Sequence, residues 1–234
     1  MTELPRPENL VRLDVWADIA CPWCYIGSRH LEEALAGERA QGRDVVVTHR
    51  PFELQPTMPA DGVPMREFFE AKFGGGDAVV AMFDRVVEVG RGVGIAFDFE
   101  AMPKAPNTRL AHAVVLSYAG DPRQRLVLHR LYAAYFEDGL DITRREVVAA
   151  AVREVTGETV EEVLDRCSQV ADLEAGLLVA RELGVDAVPL FVADAGLVGD
   201  DQLGLSVAAI AVQGAQPART LTNLLEQARE RASA

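Results

Sequence analysis

The sequence has little of several residue types, and each shortage removes a class of protein. Only 23 of its 234 residues are Lys or Arg, against 36 Asp and Glu. The resulting net charge of −13 argues against binding to nucleic acid and to anionic membranes, because both need a positive field. No apolar run approaches the roughly 20 residues that a membrane helix needs. Three cysteines, an odd number, do not form the framework of a disulfide-stapled scaffold.

The start of the chain also lacks a secretory signal. A basic segment followed by 7–15 apolar residues would mark one, and neither is present in the first 16 residues. We therefore expect a cytoplasmic protein. With 49% hydrophobic residues, the composition is that of a globular chain that buries a large core without staples.

Both ends of the chain have the pattern of a small α/β sheet. Residues 10–16 predict a strand, 22–40 a helix and 45–49 a second strand, which is the β-α-β unit of a parallel sheet. Towards the end, residues 188–192 and 203–212 predict strands, and 217–232 predict a helix that opens with Pro.

The middle of the chain has helical periodicity and no clear strand. Capping boxes at Thr143 and Thr159, and Pro122 at a first helical position, predict where helices start. Six helices are predicted, over residues 64–73, 77–92, 108–119, 122–137, 143–154 and 159–183. The chain therefore divides into a sheet domain, residues 10–56 and 184–234, and a helical insertion, residues 57–183.

The strongest chemical signal is the segment Cys21-Pro22-Trp23-Cys24, between a predicted strand and a predicted helix. Pro22 at the first helical position makes Cys21 the cap, so the positive end of the helix dipole favours its thiolate. Cys24 lies one turn further, within disulfide reach of Cys21. An exposed reactive thiol beside a sheltered one is what reversible dithiol–disulfide exchange requires.

Other readings of the cysteines are weaker. A zinc site needs four ligands, and neither Cys167 nor the four histidines have the spacing that would complete one. The pair could also be inert core thiols, but its place between strand and helix argues against this. Cys167 lies within a predicted helix, where we expect it to be a bystander.

Two further residues are ambiguous on sequence physics alone. Pro189 opens a predicted strand, where its missing N–H does little harm. This position is typical of a proline at the edge of a strand. His112 lies on an apolar helical face, which is more typical of a satisfied core histidine than of a ligand.

Taken together, these features resemble the DsbA family of the thioredoxin superfamily, and more narrowly its cytoplasmic FrnE-like branch of polyketide-biosynthesis dithiol–disulfide isomerases. The segments that carry the resemblance are DIACPWCYIG at 18–27, HRPFELQP at 49–56, NTRLAHAV at 107–114, YAAYFEDGLDI at 132–142 and QGAQPA at 213–218. The resemblance implies an α/β thioredoxin fold with a large all-helical insertion.

The resemblance also assigns roles by position. Cys21 would be the attacking cysteine, Cys24 the resolving cysteine, and Pro189 a cis-proline that faces them. Pro22, Trp23 and Val188 would flank the substrate. The motif that contains Asn107, Thr108 and His112 lies near the cleft in such proteins, so Asn107 and His112 are candidates for substrate binding.

The sequence departs from the family at two places. Residues 194–212 form a longer connection than is usual, so either the edge strand or a nearby loop is predicted to be remodelled. Some members carry a second cysteine pair, which this chain lacks, so no second dithiol relay is expected within one subunit.

The sequence thus predicts a thiol–disulfide oxidoreductase or isomerase that acts on protein or small-molecule thiols and disulfides. No metal or resident cofactor is expected. The alternative is a glutathione-dependent isomerase or transferase of the 2-hydroxychromene-2-carboxylate isomerase or kappa-class type, with glutathione as co-substrate. Those enzymes usually have Ser in place of Cys21, so retention of both cysteines favours redox chemistry. A non-catalytic binding module is the third possibility.

Overall fold

A four-stranded sheet joins the two ends of the chain. The computed structural model describes residues 10–74, 76–166, 170–194 and 209–232. In chain order the described elements are β1 (Val11–Ala17), α1 (Pro22–Ala40), β2 (Val45–Pro51), β3 (Val63–Pro64), α2 (Met65–Phe73), α3 (Gly76–Arg91), β4 (Lys104–Ala105), α4 (Arg109–Leu116), α5 (Gln124–Phe136), α6 (Arg145–Thr156), α7 (Val160–Arg166), α8 (Val170–Glu182), β5 (Leu190–Asp194), β6 (Ile210–Gln213) and α9 (Ala218–Ala232). The predicted α/β thioredoxin architecture is confirmed.

The order of the strands is β2-β1-β5-β6, so the first strand of the chain lies inside the sheet. β1 pairs with β2 in parallel, and β5 pairs antiparallel with both β1 and β6. This topology brings the residues before β5 to the end of β1, where α1 begins. Two distant parts of the sequence, the end of β1 and the start of β5, therefore lie side by side.

Helices α1 and α9 cover one face of the sheet. Leu31 and Leu35 of α1 pack with Leu221 and Leu225 of α9 over the apolar residues of β1 and β5. Charge also joins the two helices, because the buried carboxylate of Glu38 accepts hydrogen bonds from Arg43 and pairs with Arg229 at 2.5 Å.

A second apolar core fills the helical part of the chain and reaches the start of α1. Tyr25 of α1 stacks on Tyr132 of α5 with ring centroids 5.0 Å apart, and its hydroxyl donates a 2.5 Å hydrogen bond to Glu137. Cys21 and Cys24 belong to this same buried cluster. The first turn of α1 is thus held between the sheet and the helices.

One predicted helix start is confirmed. At Thr159 the capping box forms, since the Glu162 side chain accepts from the Thr159 N–H and the Thr159 hydroxyl accepts from the Glu162 N–H. Gly157 ends α6 with a left-handed φ of 73°, which glycine adopts without strain.

Three local predictions are wrong. Helix α6 begins at Arg145, and the hydroxyl of Thr143 donates to Asp141 instead of capping the helix. Helix α5 begins at Gln124, so Pro122 lies in the preceding turn, where Asp121 accepts from the Arg123 N–H. The middle of the chain also contains the short β3–β4 ladder, because main-chain pairing over two residues leaves no periodic pattern.

Some predictions fall on residues that the structure does not describe. Cys167 and most of the segment 194–212 lie outside the described residues, so their predicted roles stay predictions. The division into domains at residues 57 and 183 also stays a prediction. Among the described residues, no helix is long and apolar enough to cross a membrane.

The close approach of α8 to β2 predicts a strong effect of one methyl group. A Cβ at Gly176 would lie 2.7 Å from Cγ of Pro51, whose ring cannot rotate away. Gly176→Ala should therefore lower the free energy of unfolding by about 1–3 kcal/mol. The matched control is Gly37→Ala in α1, where no atom lies within 4 Å, which should raise it by roughly 0.4–1 kcal/mol. Urea unfolding of both variants measures this, and equal effects would contradict the packing.

Two buried histidines predict a loss of stability in mild acid. Burial lowers the pKa of His49 to about 3 and that of His129 to about 4, below the value of about 6.5 in the unfolded chain. The unfolded state therefore binds protons first, and stability present above pH 6.5 is lost as the pH falls towards the folded pKa values. Each histidine should lower the free energy of unfolding by about 1.4 kcal/mol at pH 5.5. Urea unfolding should show a shallower pH dependence for His49→Gln; an unchanged slope would refute this.

Candidate functional site

The CPWC segment forms the first turn of α1, as the sequence predicts. Cys21 is the N-cap, with φ −97° and ψ 111°, and Pro22 occupies the first helical position. The carbonyl of Cys21 accepts hydrogen bonds from the N–H groups of Cys24 and Tyr25 at 3.0 and 3.2 Å. The Cys21 side chain therefore sits where the free N–H groups and the dipole of the helix stabilise negative charge.

Both cysteines are thiols, and Cys21 is more enclosed than the sequence predicts. Cys24 is 2% exposed, as expected for a sheltered partner, but Cys21 is only 5% exposed. The expectation of an exposed attacking thiol is therefore wrong for this conformation. The chain folds back over Cys21 from a distant part of the sequence and covers it.

The distant segment is the turn that precedes β5. The Val188–Pro189 peptide bond is cis, as the family resemblance implied. The carbonyl oxygen of Val188 lies 4.0 Å from Sγ of Cys21, across 167 residues of sequence. The structure therefore places Val188 and Pro189 against the CPWC turn, and their predicted functional roles stay predictions.

Two glycines hold Pro189 in this place. The N–H of Gly214 donates a 2.7 Å hydrogen bond to the carbonyl of Pro189. On the other side, a Cβ at Gly27 would lie only 3.0 Å from Cγ of Pro189. Both glycines belong to segments that carry the family resemblance, but only the fold shows that they contact the proline.

Cys24 gives up its proton less readily than an ordinary thiol. Burial is the largest cause that raises the pKa of Cys24 well above its ordinary value. The hydrogen bond and the charge of Cys21 raise it further, whereas a hydrogen bond with the main chain of Asp18 lowers it. Cys24 is therefore the thiol that keeps its proton when Cys21 is a thiolate.

Asp18, directly after β1, is a site residue to which the sequence pattern assigns no role. Its carboxylate is 2% exposed and accepts hydrogen bonds from the N–H groups of Ala20 at 3.2 Å and Leu54 at 2.7 Å. Nε2 of His112 lies 3.3 Å from the same carboxylate. The signal that could have found Asp18 is an acidic residue directly after an apolar strand and three residues before Cys21.

The candidates from α4 and the turn before it have mainly internal contacts. The side-chain amide of Asn107 donates to the carbonyl of Met58 at 2.8 Å, and its oxygen accepts from the Arg109 N–H at 3.0 Å. His112 is 4% exposed and faces Asp18. These contacts position the polypeptide around the site, and direct substrate binding by Asn107 and His112 stays a prediction.

A cavity of about 370 Å³ opens beside the CPWC turn. Cys21, Pro22, Trp23 and Val188 line it, together with apolar side chains of α2 and α3. Asn107 and His112 are not among the described residues that line it. The arrangement therefore couples a thiol at a helix N-terminus to an enclosed apolar space.

The described part of the site offers no cluster of metal ligands. Within the described residues, no group of three or more His, Cys, Asp or Glu side chains lies close enough to hold a metal ion.

Comparison with solved structures finds the same architecture. A probable DsbA oxidoreductase from Streptomyces coelicolor is 29% identical, with a TM-score of 0.76 over 93% of this chain and 89% of that one. A 2-hydroxychromene-2-carboxylate isomerase is 14% identical, with a TM-score of 0.62 over 95% of this chain and 98% of that one.

A cytosolic disulfide reductase, DsbM from Pseudomonas aeruginosa, is 21% identical, with a TM-score of 0.54 over 94% of this chain and 95% of that one. The same reductase has also been solved with GSH. At these lower identities the likeness shows the fold. The model of the DSBA-like thioredoxin domain matches residues 12–226, which is nearly the whole chain, and the protein belongs to that family.

Proposed function

We propose that the protein is a thiol–disulfide oxidoreductase that works through Cys21 and Cys24. The observation that carries this proposal is the pair of thiols in the first turn of α1, with Cys21 at the N-cap and facing the Val188 carbonyl. Membership of the DSBA-like family supports it. Neither a structural role for two thiols beside a cavity nor a metal site explains this arrangement as well.

The reaction follows from the order in which the thiols ionise. The thiolate of Cys21 attacks a substrate disulfide, forms a mixed disulfide and releases one substrate thiolate. Cys24 then loses its proton and attacks Sγ of Cys21, which releases the second substrate thiol and leaves a Cys21–Cys24 disulfide. Two electrons pass from the enzyme dithiol to the substrate, and an external thiol returns them.

The contrast between the cysteines suits this sequence of steps. The N-cap position stabilises the Cys21 thiolate both as attacking group and as leaving group. The raised pKa of Cys24 keeps it protonated while Cys21 carries a charge, so the two thiolates do not form side by side. The carbonyl of Val188, which lies beside Sγ of Cys21, offers a main-chain acceptor to a substrate bound there.

A glutathione-dependent isomerase or transferase is the alternative that the fold allows. That chemistry needs one nucleophile-stabilising position and no resolving thiol. Retention of Cys24 in the turn, in contact with Cys21, supports the redox reaction instead. The cytoplasmic location and the absence of nucleic-acid and membrane partners stay predictions.

Removal of the resolving thiol should stop the reaction halfway. In Cys24→Ser, Cys21 still attacks a substrate disulfide, but the mixed disulfide has no internal thiol to resolve it. We expect covalent adducts that migrate slowly on non-reducing gels and disappear with reductant. Cys21→Ser should form none, and should lower disulfide reductase turnover by at least about a hundredfold.

Two controls make this experiment decisive. Cys167→Ser in the Cys24→Ser background should trap the same adducts, since Cys167 is predicted to be a bystander. A Cys24→Ser protein that traps nothing, while a glutathione-dependent isomerase assay proceeds at the wild-type rate, would refute the redox proposal.

The packing of Gly27 against Pro189 predicts a positional effect on turnover. A methyl group at Gly27 would press on Cγ of Pro189 at 3.0 Å and on the ring of Phe191 at 3.3 Å. Gly27→Ala should therefore displace the turn that faces Cys21 and lower turnover by about ten- to hundredfold. Its cost in stability should be about 1–3 kcal/mol. Gly37→Ala in the same helix is the control and should keep its turnover. Full activity of Gly27→Ala would show that the contact between Gly27 and Pro189 does not position the residues that face Cys21.

A further inference from the structure

The cavity beside Cys21 has a strongly aromatic lining. Phe83 stacks on Phe99 with ring centroids 4.2 Å apart, and Phe69 meets Phe83 edge-to-face at 5.0 Å. Trp23 and Met102 complete the wall that leads to Cys21. We call this space, lined by Cys21, Trp23, Phe69, Phe83, Phe99 and Met102, the aromatic cavity.

The aromatic cavity has the volume of a small-molecule site, and Phe69, Phe83, Phe99 and Met102 also line a second cavity of about 810 Å³. The aromatic cavity's own volume of about 370 Å³ lies near the lower end of the range for small-molecule sites, which is about 300–1,000 Å³. A compact ring compound fills such a space. Glutathione brings two carboxylates and an ammonium group, and burial of these charges against phenyl rings without partners is costly.

Few polar groups of the lining are available to a ligand. Asp18 reaches the cavity, but its carboxylate already accepts from two main-chain N–H groups. Lys72 is the only cationic side chain among the described residues that line the cavity. Its ammonium group lies 5.4 Å from the ring centroid of Phe68 and 5.7 Å from that of Phe73. The lining thus carries one positive charge, at Lys72, and one negative charge, at Asp18. The side chains of Gln55, Thr108 and Tyr135 are its uncharged polar groups, and its other side chains are apolar.

We propose that the aromatic cavity binds the substrate of Cys21, and that this substrate is a small aromatic thiol or its disulfide with at most one negative charge. The proposal rests on the proposed redox function of Cys21 and names its substrate class. The ring-bearing half of the substrate occupies the aromatic cavity, its sulfur lies at Cys21, and its acidic group faces Lys72.

The balance of the reaction is that of disulfide reduction. Cys21 bonds to one sulfur of the aryl disulfide, the S–S bond breaks and an aryl thiolate leaves. Cys24 then forms the bond to Cys21 and releases the second aryl thiol. The disulfide is reduced by two electrons, the CPWC pair is oxidised, and an external dithiol such as dithiothreitol returns the pair to its reduced form.

The test measures binding without redox chemistry. In Cys21→Ser no mixed disulfide forms at this position. The uncleavable thioether 4-(benzylthio)benzoate therefore serves as a non-covalent analogue of the substrate disulfide. Isothermal titration should give a Kd at least about tenfold lower for this thioether than for S-methylglutathione. Phe83→Ala in the same background should raise the Kd of the thioether by about three- to tenfold, because ring stacking is lost.

The two lysines of the chain provide a matched pair for the charge. Lys72→Met should weaken binding of 4-(benzylthio)benzoate by about two- to fivefold, and should leave its uncharged methyl ester unaffected. Lys104 is not among the residues that line the cavity and pairs with Asp141 at 2.9 Å. Lys104→Met should therefore change neither affinity.

The outcomes separate this proposal from the proposed function. Tighter binding of S-methylglutathione, or binding of an extended peptide with none of the thioether, would overturn the substrate class and leave the trapping result intact. An equal effect of both lysine variants would overturn the orientation towards Lys72. If the thioether binds but Cys24→Ser traps no adducts, the proposed redox function is wrong, whereas the aromatic cavity still binds the predicted class of ligand.

Discussion

The geometry of the site depends on one buried carboxylate. Asp18 stands at the end of β1, and its two oxygens accept from the N–H groups of Ala20 and Leu54, while His112 of α4 faces it. Its main-chain carbonyl also accepts from the Cys21 N–H at 3.1 Å. Hydrogen bonds to a buried charge contribute about 1.5–3 kcal/mol each. Asp18 therefore ties three segments together and sets where the CPWC turn begins.

The position of that turn between two apolar cores explains its chemistry. The sheet and α9 fix one side of α1, whereas Tyr25 and the helices that follow fix the other. Such packing excludes water from Cys24 and raises its pKa, whereas Cys21 lies in the lining of the cavity. The two buried thiols thus differ in their place along one helix turn and in what each of them faces.

Much of this could be predicted because it is local. The CPWC spacing defines a helix start, and the alternation of strand, helix and strand defines a parallel unit, so α1 was predicted with its observed bounds. Asp18, Gly27 and Gly214 were not assigned roles in the site, since their partners lie on other elements. The start of α5 was misplaced because Pro122 fits a turn as well as a first helical position.

Local sequence is enough to place two thiols in the first turn of a helix, with Cys21 at its positive end. That outcome follows from Pro22, the three-residue spacing and the dipole of any helix that begins there. What faces the two thiols depends on the fold of the whole chain. Sheet pairing brings the carbonyl of Val188 to Cys21, and helix packing brings the rings of Phe83 and Phe99 to the cavity that Cys21 lines. Contacts over such distances depend on the whole fold, because no local pattern encodes which segments will be neighbours.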